Sequence, residues 1–172
     1  LVEVHLQEYA RAGQTILDPF AGSGTVMLES LRLGLNSIGI EINPAAVSLA
    51  RIYSAAGISL ANRRKTVDQV EASIEHMLQL CEDHGPLFQN EGGGLTVAFS
   101  NLLFEFARPS FEFDLVEALV VLSDLYKSPN SKTVRTRWNE IKTLVLSLPH
   151  VLVPPTVYLA DARNLPVPDS TI

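Results

Sequence analysis

The sequence predicts an α/β chain built on a parallel sheet and interrupted by a long, mostly helical insertion. Three observations carry that expectation. Strand and helix patterns alternate from Thr15 to Gly57, which implies parallel strands joined by crossover helices. Between Asn62 and His150 the apolar residues recur with helical spacing instead. Three prolines, Pro149, Pro154 and Pro155, then precede a return to strand pattern in "TVYLADA". The domain organisation follows: residues 1–61 open the sheet domain, 62–150 form the insertion, and 151–172 resume a sheet domain that is incomplete within this stretch.

Each element has its own signal. Leu1 to Ala12 fits a short helix ended by Gly13. "QTILDPF" reads as a buried strand starting near Thr15, followed by a turn through Gly22 and Gly24. "TVMLESLRL" is rich in helix formers and stops at Gly34. "NSIGIEI" is a second strand, ending at Glu41. Asn43-Pro44 opens the next helix, with proline in its first turn, and that helix runs through "AAVSLARIYSAA" to about Gly57. In the insertion, Arg63-Arg64-Lys65 starts a helix on the surface, and Val67, Val70, Ile74, Met77 and Cys81 share one face of it. "NEGGGL" is a loop, and "LTVAFSNLLFEF" fits either a strand or a helix. Phe113 to Tyr126 is apolar nearly all round and therefore buried. Val134, Trp138, Ile141, Val145 and Leu148 form another helical face. "TVYLADA" is a third strand ending at Asp161, and "RNLPVPDSTI" leads toward a fourth.

The bulk numbers narrow the function classes. A chain of 172 residues, 47% hydrophobic and 19% charged, has the size and composition of a globular domain with a real core. No apolar run reaches membrane-spanning length, because Asp114, Glu117 and Asp124 break the greasiest stretch. No secretory or transit pattern is visible. The single cysteine, Cys81, excludes an internal disulfide and a cysteine-rich zinc cluster, and fits a cytoplasmic location. His5, His76, His84 and His150 are scattered without metal-ligand spacing, so no metal site is expected. A net charge of -6 argues against broad, nonspecific nucleic-acid binding. A local exception is the basic run holding Lys127, Lys132, Arg135, Arg137 and Lys142. Lys132, Arg135 and Arg137 are candidate phosphate contacts, although a solvated helix face is the commoner reason for such a run.

The segment "ILDPFAGSGTV" carries the chemistry. Three ligands compete for a glycine turn between a parallel strand and a helix. A nucleotide triphosphate loop needs Lys-Ser/Thr after its last glycine, but Thr25-Val26 follows Gly24. A dinucleotide fingerprint needs a third glycine where Met27 stands. Asp18 at the strand tip would also repel a pyrophosphate. The third ligand, S-adenosylmethionine, has no phosphate and carries an ammonium and a cationic sulfur, so an acid there is favourable. The glycines let the backbone approach it closely, and Pro19 stiffens the strand exit. Glu41 stands at the spacing where an acid accepts from ribose hydroxyls, and Asp161 would accept from the adenine amino group. Singly, each acid also reads as a turn former or a solvated strand end.

These residues resemble a known family. "LDPFAGSGT" is similar to the cofactor motif of the amino-methylating DNA methyltransferases, which act on adenine N6 or cytosine N4. "IGIEINPAAVSLAR" resembles the segment that follows it, and "LADARNLPVPDSTI" the lead-in to the catalytic Asp/Asn/Ser-Pro-Pro-Tyr/Phe motif. The resemblance covers about Thr15 to Arg51 and Val157 to Ile172. It implies a Rossmann-like methyltransferase fold, a three-layer α/β/α sandwich with a parallel sheet, using S-adenosylmethionine. By the resemblance, Asp18, Phe20, Gly22, Ser23, Gly24 and Thr25 line the methionine side, and Pro19 belongs to the same cofactor-binding set. Glu41 holds the ribose, with Ile42 and Asn43 beside the adenine, and Asp161 and Ala162 face the adenine edge. The resemblance further implies DNA as the partner, in a restriction-modification setting, with no membrane involved. The catalytic motif itself is expected just after Ile172: Pro154-Pro155 is followed by Thr156-Val157 and reads as a linker, so no catalytic residue is assigned within these 172. Direct methyl transfer to an amine needs no cysteine nucleophile, and Cys81 reads as core. Two other readings stand beside this one. One is an RNA methyltransferase of the guanine-N2 type. The other is a binding module that keeps the fold without the chemistry.

Overall fold

The computed structural model describes residues 1–83, 93–106, 108–123 and 130–167. Lys127, His84, the C-terminal end of the apolar stretch (residues 124–126), the start of "NEGGGL" and the lead-in to a fourth strand (168–172) lie outside the described residues. The chain divides into two compact units. One comprises Leu1–Leu60 and Ser147–Ile172, and the other Ala61–Leu146.

The first unit is Rossmann-like. Helix α1 (Val2–Tyr9) leads to strand β1 (Thr15–Asp18), helix α2 (Thr25–Arg32), strand β2 (Asn36–Glu41) and helix α3 (Pro44–Arg51). The chain then tightens into a 3-10 segment, Ile52–Gly57, where a continuous α-helix was expected. Such tightening is common at helix C-termini. Strand β3 (Thr156–Leu159) completes a parallel sheet of order β1-β2-β3. Helix α2 packs on β2, and α3 packs on β2 and β3. Met27, Ser30 and Leu31 form the buried stripe of α2 at helical spacing. Asn43 caps α3, its side chain accepting from the Ala45 N–H at 3.0 Å, with Pro44 at the first helical position. The core gathers Met27, Leu31, Ile40, Val47, Ala50, Ile52, Tyr53, Ala55 and Ala56.

The second unit is helical among its described residues. It contains α4 (Leu60–Asp83), α5 (Gly93–Glu105), α6 (Phe111–Leu122) and α7 (Ser131–Ser147). The stretch that fitted strand or helix is therefore helix, with Phe99 and Leu102 buried three residues apart. Two of the loop-assigned glycines, Gly93 and Gly94, start α5, in the turn where intrahelical N–H bonds are not yet made. The α4 stripe buries Val67, Val70, Ile74 and Met77 as expected, and Cys81 is only half-buried. Arg63 corrects the sequence reading. It was expected on the surface, yet it is 1% exposed and its guanidinium donates to the Val145 carbonyl at 2.8 Å. It stands four residues before Val67, on the same stripe, and spacing outranks charge there.

Candidate cofactor site

The carboxyl ends of the three strands are staggered. Asp18 pairs in register with Gly39, whereas Glu41 pairs with Leu159. At about 3.3 Å per residue, the β1 tip stops roughly 7 Å short of the β2 tip. The loop after β1 covers that gap by continuing to hydrogen-bond along β2. The Ala21 N–H donates to the Ile40 carbonyl at 2.9 Å, and the Gly22 N–H donates to Glu41 Oε2 at 2.8 Å. The other carboxylate oxygen, Oε1, accepts from the Asn43 N–H at 2.7 Å. Glu41 thus ties the glycine turn to the start of α3. These backbone donors stabilise the charged form and hold its carboxyl below the ordinary value.

The turn itself needs its glycines for different reasons. Gly24 has φ +91°, and a Cβ there would lie 2.6 Å from the Tyr53 ring. Gly22 has φ +53° with open space around a Cβ. Gly24 is therefore required by packing as well as backbone, whereas Gly22 keeps room beside the loop for something else. Asp18 accepts from the Phe20 N–H at 3.0 Å and stiffens the exit through Pro19.

A cleft of about 370 Å³ opens at the strand tips, lined by Pro19, Phe20, Glu41, Ile42, Ala160, Asp161, Ala162 and Arg163. Its size is within the range of small-molecule sites. Phe20 and Ile42 are 78% and 68% exposed, so two large apolar side chains flank the cleft without being covered by the fold. Six of the twelve residues read from the sequence as cofactor-binding line it: Pro19, Phe20, Glu41, Ile42, Asp161 and Ala162. Phe20, expected on the methionine side, stands among the residues assigned to the adenine side. Asp18 lines a neighbouring groove with His5, Leu6 and Val26. Gly22 is joined to the cleft through Glu41, while Gly24 and Thr25 begin α2 and Asn43 begins α3. Asp161 lies two residues beyond the end of β3 at Leu159, in the turn rather than on the strand. Its carboxylate accepts from the Arg163 backbone N–H at 2.9 Å and from the Arg163 guanidinium, contacts that lower its pKa. Tyr53 and Arg163 were not identified from the sequence. Tyr53 looked like ordinary helix, and a charge pair two residues apart carries no periodic signal.

On the helical unit, Arg135 reaches Glu75 and Glu82, Arg137 reaches Glu140, and Lys142 reaches Glu71. Lys132 is exposed. The α7 sequence by itself showed only Glu140 opposing these cations; α4 supplies the other glutamates.

A parallel α/β unit with a glycine turn after its first strand, an acid closing its second and a cleft across the tips is a Rossmann-like architecture. Residues 1–51 match the family model described as DNA methylase, of the N6/N4 type. The chain is 42% identical over 52 residues to the type II methyltransferase M.MjaII of Methanocaldococcus jannaschii, covering 30% of this chain and 10% of that protein. It is 53% identical over 45 residues to the type II methyltransferase M.BsoBI of Geobacillus stearothermophilus, covering 26% of this chain and 9% of that protein. The match thus spans about a tenth of the length of these relatives. No solved structure matches the chain. No helix among the described residues is long and apolar enough to cross a membrane.

Proposed function

We propose that this chain supplies the S-adenosylmethionine-binding part of a DNA methyltransferase that modifies an exocyclic amino group, adenine N6 or cytosine N4. The observation that carries this reading is the Glu41 carboxylate, held between the Gly22 and Asn43 N–H groups at the mouth of the cleft. A carboxylate offers about four acceptor positions, and the backbone N–H groups of Gly22, Asn43 and Ile42 do not use them all, which leaves room for a ribose hydroxyl. The acids suit a cationic nucleoside without phosphate: Glu41 and Asp161 line the cleft, and Asp18 stands at the β1 tip in the neighbouring groove. Pro19, Phe20 and Ile42 provide the apolar wall, with Ala162 beside the adenine edge. Gly22, Ser23, Gly24 and Thr25 form the turn on the methionine side, with Asn43 at the head of α3.

The cofactor would supply an electrophilic methyl group. This chain's residues hold and orient it: Glu41 fixes the ribose, Asp161 reads the base edge, and Asp18 balances positive charge. The target base would be flipped from its duplex, since its amino group is otherwise paired, and transfer to that amine is governed by positioning. In this reading DNA is the partner, and Lys132, Arg135 and Arg137 are its candidate phosphate contacts on α7. The restriction-modification setting and cytoplasmic location belong to the same proposal.

Calorimetric titration of the purified chain with S-adenosylmethionine tests the reading. Binding is expected, with a loss of at least about tenfold after Glu41→Ala or Asp18→Ala, in line with removal of a hydrogen bond to a charged group. A folded sample that binds nothing, or substitutions that leave affinity unchanged, would sink it.

A further inference from the structure

We propose that Arg163 competes with a bound nucleoside for the Asp161 carboxylate, and so sets both affinity and base selectivity at the adenine end of the cleft. The inference rests on the adenine assignment of Asp161 above. Both side chains line the cleft. The Arg163 Nε donates to Oδ1 and Oδ2 of Asp161 at 3.0 Å each, and its terminal nitrogen donates to Oδ2. The backbone N–H of Arg163 also donates to Oδ1, at 2.9 Å. These contacts take up most of the acceptor positions that a carboxylate has. An adenine amino group needs one of them.

The two sets of contacts differ in permanence. The backbone N–H belongs to the turn and keeps the carboxylate oriented. The guanidinium is on a side chain that is 89% exposed, and exposed ion pairs are weak. Arg163 can therefore leave at small cost, and a nucleoside that donates to Asp161 meets that cost on binding. The guanidinium also alters which base is preferred. Hypoxanthine presents a carbonyl oxygen where adenine presents its amino group. Asp161 alone repels that oxygen, whereas Arg163 offers it a donor. Arg163 thus narrows the preference for adenine over its deaminated counterpart.

The test is calorimetric titration of the full chain with adenosine and with inosine. Both are neutral, which keeps direct repulsion between Arg163 and a cationic cofactor out of the comparison. Arg163→Ala should tighten adenosine about two- to fivefold, the range of an exposed ion pair, and should not tighten inosine. In an Asp161→Ala background, which removes the acceptor altogether, the same substitution should not tighten adenosine. Arg163 is solvent-exposed, so the variant is expected to fold, and circular dichroism checks this and the Asp161→Ala protein. If Asp161→Ala weakens adenosine but Arg163→Ala leaves it unchanged or weaker, the competition is overturned and the adenine assignment survives. If Asp161→Ala leaves adenosine binding intact, the assignment itself fails, and the role of Arg163 with it.

Discussion

At the scale of single residues, Gly22 and Gly24 look alike in sequence but bear different constraints. Gly24→Ala meets both a left-handed backbone and the Tyr53 ring. It should cost on the order of 2–4 kcal/mol, combining the left-handed penalty with overpacking, measured by urea denaturation. Gly22→Ala meets only the backbone term and should cost about 1–2 kcal/mol. Glu41 makes a pH prediction. Its folded pKa lies below the ordinary 4.5, so its contribution to stability is complete above that value and is lost as pH falls through the depressed one. The denaturation midpoint of the native chain should therefore fall more steeply below about pH 4.5 than that of Glu41→Gln. At neutral pH the Gln variant should be the less stable, because its amide NH2 faces a backbone N–H that needs an acceptor. Equal acid slopes in the two proteins would refute the role given to Glu41.

At the scale of elements, charge and packing on α4 and α7 are separable. Arg135 holds two glutamates of α4, but all three side chains are substantially exposed. Arg135→Ala should cost no more than about 1 kcal/mol, and its effect should shrink in high salt. Ile141 is 1% exposed on the same helix, and Ile141→Ala should cost about 2–5 kcal/mol at any salt concentration. Denaturation series at low and high salt distinguish the two. Arg63 lies between these cases, a cation buried on an apolar stripe. The Val145 carbonyl gives its guanidinium a partner inside the helical unit, and burial lowers its pKa. Its long aliphatic stem also lets it fill a core position.

At the scale of the whole molecule, the order of elements was legible in the sequence. Strand, helix, strand, helix was marked by Gly13, Gly34 and Asn43-Pro44, because caps and breakers act locally. The stripes Val67–Val70–Ile74 and Val134–Trp138–Ile141 were legible because periodicity reports which side of a helix faces a core. The acids Asp18, Glu41 and Asp161 were legible as a set by their order along the chain. Their geometry was not. Strand register put Asp18 two residues below Glu41 and in a different groove, and register comes from pairing between distant segments. Likewise Arg163 on Asp161, Tyr53 against Gly24, and the α4 glutamates around Arg135 and Lys142 depend on contacts with no fixed spacing. The sequence by itself determined the element types, the apolar faces and the family likeness of the first 51 residues, since those are written in neighbouring residues. The tertiary structure alone decided which acids share a cleft and which cations are already engaged, since those follow from how the strands align and which helices meet.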